Sequence, residues 1–152
     1  MNIFYLDEDP RLAAQFQCDK HVVKMVLESA QILSTVCKAE GVYRPTHKNH
    51  PCTLWAGSHN GNYEWLIEHA FALVDEYRYR YGKEHASLRV IKICRDNRPL
   101  LLAGESQPAQ AMPENLRIPY KPVLAYRRYY TEVKMREIQC KWTKREKPYW
   151  VV

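Results

Sequence analysis

An all-α fold is what this chain of 152 residues predicts, and three observations carry that reading. The stretch CDKHVVKMVLESAQIL, residues 18–33, places Val22, Leu33, Val26, Ala30 and Val23 within roughly a 100° arc at helical pitch, a stripe suited to a core. A second long helical pattern covers about Tyr63 to Tyr81, and a third resumes at about Pro122. Only NIFYL, residues 2–6, reads like a strand, and it has no obvious partner to pair with.

The elements follow in order. Asp9-Pro10 supplies an N-cap and a proline at the first helical position, so Arg11 to Gln17 form a short helix. Asp19 can cap the next helix, which Gly41 stops. The segment YRPTHKNHPCTLWAGSHNGN (43–62) is rich in turn formers and leaves room for one short helix around Cys52 to Ala56. The long helix offers Trp65, Ile67, Ala70, Phe71, Val74 and Tyr77 for packing, and Gly82 ends it. Another begins near Glu84 and must break at or before Pro99. Gly104, Pro108, Pro113, Pro119 and Pro122 exclude a continuous helix from Leu100 to Pro122, so the irregular segment 104–122 is expected to wrap the bundle. A last helix runs from Pro122 through Lys134 or beyond, before the basic and aromatic tail KWTKREKPYWVV. No repeat, linker or low-complexity segment divides the chain, and residues 1–152 read as one domain.

A formal net charge of +6 together with 11 Tyr and 4 Trp favours a polyanionic partner whose bases can stack on rings. The alternative is a basic globule whose aromatics merely close the core. No apolar run approaches the ~18 residues of a membrane span, and MNIFYLDEDP lacks the basic start of a secretory signal. Five scattered cysteines (18, 37, 52, 94 and 140) fit reduced thiols, and a cytoplasmic location is expected. Walker, GxGxxG, GxSxG and HExxH motifs are absent, which leaves the corresponding motif-based kinase, dinucleotide-binding, esterase and zincin readings without support.

Three groups of residues could carry chemistry. Opposite the apolar stripe of 18–33, helical counting gathers Gln31, Lys24, Thr35, Glu28 and His21 in an arc of about 80°. Lys24, Glu28 and Gln31 stand at i, i+4 and i+7; an amine beside a carboxylate can attack a sugar C1′ while the carboxylate stabilises the cation that forms. The same spacing is equally that of a solvated surface ion pair. The donors of Cys18, His21, His47, His50 and Cys52 are enough for a zinc site, but their spacing departs from the common finger patterns, and neither metal nor cofactor is expected. His50, just before Pro51, is the more interesting as a hydrogen-bond donor or general acid/base. The runs EYRYRYGK, AYRRYY and KWTKREKPYW combine rings with cations, and Tyr126, Arg127 and Arg128 are candidates to meet a flipped-out nucleotide.

DKHVVKMVLESAQIL (19–33), KNHPCTLWAG (48–57) and the helix NYEWLIEHAFALVDEYRYRYG (62–82) together resemble the pyrimidine-dimer DNA glycosylases of the endonuclease V type, small phage and bacterial proteins. QAMPENLRIPYKPVLAYRRYYTEVK resembles the C-terminal half of phage members. The resemblance implies a compact all-α enzyme that flips a nucleotide, breaks its N-glycosidic bond through an amine nucleophile and nicks the abasic strand by β-elimination. It implies that Glu28 is the carboxylate that stabilises the sugar cation and that Lys24 and His50 act beside it. His21, Gln31, Asn49, Trp55, Tyr126, Arg127 and Arg128 are the residues expected to meet the substrate. In that family the nucleophile is the α-amine of a small second residue, exposed by loss of the initiator methionine. Here residue 2 is Asn2, bulky enough that Met1 is expected to stay. The α-amine of Met1, Lys24, or an altered chemistry are the three alternatives. DNA or a free nucleotide is the expected partner, and a non-catalytic protein that sequesters nucleic acid or nucleotide is the competing reading.

Overall fold

Asp9 opens the first helix as its position predicts: its carboxylate accepts the Arg11 N–H at 2.8 Å, and Pro10 occupies a position where no amide donor is missed. In this computed structural model, which describes residues 1–152, α1 spans Pro10–Phe16 and α2 spans Asp19–Cys37. Asp19 does not cap α2. Cys18 holds the N-cap position without a side-chain bond, and the Asp19 carboxylate is taken by Arg80 and by the N–H and hydroxyl of Thr143. α2 also stops short of Gly41. Lys38 turns into the left-handed region (φ 55°), because the following loop doubles back over the helix: Tyr43 N–H donates to Ser34 Oγ and Thr46 N–H to Thr35 Oγ1.

α3 (Pro51–Ala56) and the long α4 (Asn60–Tyr81) follow, α4 ending at Gly82 with φ 68° and its N–H on Arg78 O. α5 spans Leu88–Asp96. The proline-rich segment holds only one 3-10 turn, Glu114–Leu116. α6 (Pro122–Tyr129) passes into a π turn, Tyr130–Lys134, and a final turn α7, Met135–Glu137. The fold is all-α, as predicted. NIFYL forms no strand: it is largely buried and turns on itself, with Phe4 at φ 48° and Leu6 N–H donating to Phe4 O.

α2 lies at the centre, against α3, α4 and α5, and α1 packs on α4. Val22, Val26, Ala30 and Leu33 of α2 are fully buried with Leu66, Ala70 and Leu73 of α4 and Ile91 of α5. Val23, counted in that apolar stripe, instead faces outward at 40% exposure. The tail returns to the core: Trp142 Nε1 donates to Phe16 O, and Arg145 pairs with Glu76. No helix is long and apolar enough to cross a membrane.

Candidate active site

The polar face of α2 is partly covered: the start of the chain lies over His21 and Glu28 and the returning loop over Thr35, while Lys24 stays exposed. His21 is buried under Phe4 and takes a hydrogen bond from the Tyr130 hydroxyl on Nδ1 (2.7 Å), while that hydroxyl accepts the Cys18 N–H. Burial and the nearby charges of Lys134 and Lys24 hold His21 down to about 4, so the ring is neutral. Two turns along, Glu28 is buried, and two turns further Thr35 bonds to Thr46 of the returning loop. Residues 21, 28 and 35 keep nearly one direction on the helix, so a single layer of chain can cover all three.

Glu28 receives the beginning of the chain. Its Oε1 lies 3.2 Å from the α-amine of Met1 and accepts the Asn2 N–H at 3.0 Å. Its Oε2 has no hydrogen-bond partner although it is buried. A carboxylate is costly to bury half-satisfied, which sets this oxygen apart from a structural ion pair. The side chain of Met1 is only 3% exposed, yet the residue as a whole is half-buried. What reaches solvent is therefore its main-chain end, where the amine is. Lys24, expected to be shielded with Glu28, is not: its side chain is 69% exposed and its Nζ stands 3.7 Å from Oε2, beyond hydrogen-bond length.

His50 caps α3, its Nδ1 accepting the Cys52 N–H at 3.0 Å. In the neutral ring the proton then sits on Nε2, which makes His50 a donor. Burial first, then the positive charge of the Met1 amine and of His47, lowers its pKa, and Glu28 opposes them. His50, Met1 and Glu28 thus share one electrostatic neighbourhood. Beneath them, burial pushes the Cys52 thiol up to about 12, which leaves it protonated and a poor nucleophile.

The other expected substrate contacts scatter. Gln31 is half-buried and Asn49 exposed. Trp55 is buried with its Nε1 on Ser106 O, and lines a cleft of about 740 Å³ with Tyr5, Trp65 and Tyr120, to which Met1, Glu28 and His50 contribute nothing. Tyr126 is fully buried, its hydroxyl bonded to Ala109 O and to the Ala111 N–H, so its ring is packed in the core and not offered to a base. Arg127 is a clamp: it donates to Leu6 O and Asp7 and lies against the rings of Phe16, Tyr149 and Trp150. Arg128 is exposed and paired with Glu132. No three His, Cys, Asp or Glu side chains converge on a position for a metal ion. The residue that sequence reasoning missed is Asn2, whose side chain ties the chain start to Ala111, 109 positions away, a contact without any local signal.

No curated protein and no solved structure matches the chain. A family model described as pyrimidine dimer DNA glycosylase matches residues 1–90, which include Met1, Asn2, Glu28 and His50 and run through α4 into the start of α5. With more than half of its length covered by that match, the chain belongs to the pyrimidine dimer DNA glycosylase family.

Proposed function

We propose that this protein breaks the N-glycosidic bond of a damaged pyrimidine in DNA with the α-amine of Met1 as nucleophile and Glu28 as the assisting carboxylate. The observation that carries the reading is the amine at 3.2 Å from a buried, half-satisfied Glu28, against a mostly exposed Lys24 whose Nζ stands 3.7 Å from the other oxygen. Family membership supports a DNA glycosylase in general.

The chemistry balances with the groups present. The ammonium of Met1 loses a proton to solvent, which its main-chain end reaches, and Glu28 stays ionised. The freed lone pair bonds to C1′ as the bond from C1′ to the base nitrogen breaks; that nitrogen keeps the electron pair and takes up a proton, and in a dimer the freed base stays tethered to its neighbouring pyrimidine. Oε2, without a hydrogen bond in the free protein, faces the positive charge that develops on the sugar. Opening of the sugar ring leaves an imine between Met1 and C1′. Removal of a C2′ proton then expels the 3′-phosphate, and water hydrolyses the imine to restore the amine. His50 contributes as a neutral donor through Nε2, a role suited to the carbonyl of a departing pyrimidine. The net charge of +6 supports attraction to the phosphates.

Borohydride reduction during turnover on duplex DNA that carries a thymine dimer tests this reading. The expected product is a covalent adduct whose peptide map places the DNA on the Met1 nitrogen. Stoichiometric DNA binding without adduct or strand cleavage supports a non-catalytic role instead, and an adduct on Lys24 overturns the assignment of the nucleophile.

A further inference from the structure

Amine catalysis at the end of a chain faces a physical difficulty: termini fray, while a nucleophile must be held within a fraction of an ångström of its productive position. The Asn2 side chain meets that difficulty here. It is buried, and each of its polar atoms is used. Oδ1 accepts the Ile3 N–H at 2.8 Å and the Phe4 N–H at 3.1 Å, while Nδ2 donates to Ala111 O at 2.9 Å. The first contacts fold the chain start back on itself, where Phe4 adopts φ 48°. The last one fastens it to a segment with no helix of its own. That segment is anchored in turn. Ala111 N–H donates to the Tyr126 hydroxyl at 3.2 Å, and the same hydroxyl donates to Ala109 O at 2.8 Å. The side-chain amide of the intervening Gln110 brackets the main chain of Ile118, and Arg117 holds Met112 O.

We propose that Asn2 is a positioning residue which, through Ala111 and the buried Tyr126 hydroxyl, fixes the Met1 amine against Glu28. Residues beyond the family match thereby complete the site. The assignment explains the amide at position 2. An aspartate would lack the donor for Ala111 O, and a serine or threonine hydroxyl is a single atom one bond closer to the main chain, without the separate Oδ1 and Nδ2 that span from the Ile3 and Phe4 amides to Ala111 O.

The inference rests on the Met1 amine being the nucleophile, and its test separates the two. Full-length wild type, Tyr126→Phe and Asn2→Leu are compared in single-turnover borohydride trapping on the thymine-dimer duplex. Retention of Met1 is checked by intact mass, and DNA affinity and thermal melting are measured alongside. The expected result is an adduct in wild type and a trapping rate lowered by about 10- to 100-fold in both variants, with affinity for the duplex unchanged within about twofold, the split expected of lost alignment and not of lost binding. Adduct formation at the wild-type rate in a folded variant overturns the positioning role. No adduct in wild type overturns the nucleophile itself. Hydrogen exchange in the wild type gives a reading that does not depend on variant folding: slow exchange at the Ile3 and Phe4 amides is expected, and exchange at the rate of an open chain end overturns the proposal.

Discussion

Phe4 and His21 are stacked face to face, with ring centroids 4.3 Å apart and planes 17° from parallel. The contact presses the chain start onto α2 and covers the part of the polar face that carries His21. It also makes His21 a buried neutral ring, with consequences for acid stability.

His21 and His69 are both held down to about 4, in each case chiefly by burial. An unfolded histidine titrates near 6.5, so between pH 6.5 and 4 the unfolded chain binds protons that the folded chain refuses. Stability is therefore complete above pH 6.5 and falls as the pH drops through that window, by up to about 1.4 kcal/mol per pH unit for each ring. Thermal melting from pH 7.5 to 4.5 should show the decline, and His21→Phe, which keeps a ring against Phe4, should flatten it. An identical slope in wild type and variant contradicts the assignment.

Glu28 and Lys24 should separate cleanly in activity. Glu28→Gln keeps the shape but removes the charge facing the sugar, and should lower the rate of glycosidic-bond cleavage by about 10²- to 10³-fold. Lys24→Ala removes an exposed cation whose pairing contributes at most about 1 kcal/mol; adduct formation and single-turnover rate should stay within about threefold of wild type. A Lys24 variant as slow as the Glu28 variant is inconsistent with this geometry.

Arg80 is fully buried, and its guanidinium is divided among Glu76, Asp19 and the carbonyls of Gln17 and Gln15. Glu76 also takes Arg145 from the tail at 2.6 Å. Glu76→Leu leaves the buried Arg80 with Asp19 as its one carboxylate and removes the partner of Arg145 as well, and should cost about 3–5 kcal/mol in urea unfolding. Arg145→Ala, which removes only the half-buried partner, should cost clearly less.

Gly61 meets the proline-rich segment at close range. A Cβ there would stand 2.8 Å from Gly104 O and 2.9 Å from Glu105 Cβ, where Gly61 N–H now donates to Gly104 O. Gly61→Ala should destabilise the protein by about 1–3 kcal/mol. Limited proteolysis should show faster cutting near residues 100–108 than in wild type.

Helix class and order were legible in the sequence because turn chemistry and periodicity are local. Pro10, Pro51, Gly82 and Pro122 mark real boundaries. Glu28 could be singled out by its spacing from Lys24 and Gln31, yet which of its neighbours is the amine depends on the path of residues 1–6, and no local pattern encodes that path. The same limit explains Asp19, whose carboxylate serves Thr143 and Arg80 across the fold instead of its own helix. Tyr126 and Arg127 look like a nucleic-acid surface by composition. Their partners at Ala109, Ala111, Leu6 and Asp7 turn them into internal fastenings.

In the proposed reaction the attacking atom belongs to the main chain, so no side-chain substitution can delete it, whereas any group joined to Met1 can. An affinity tag fused ahead of Met1, or acetylation of that residue, turns the amine into an amide and places extra atoms beside Glu28. Val152 stands fully in solvent at the other end. Preparations tagged there should be active and those tagged at Met1 silent, a difference set by the choice of vector and not by the sequence it carries.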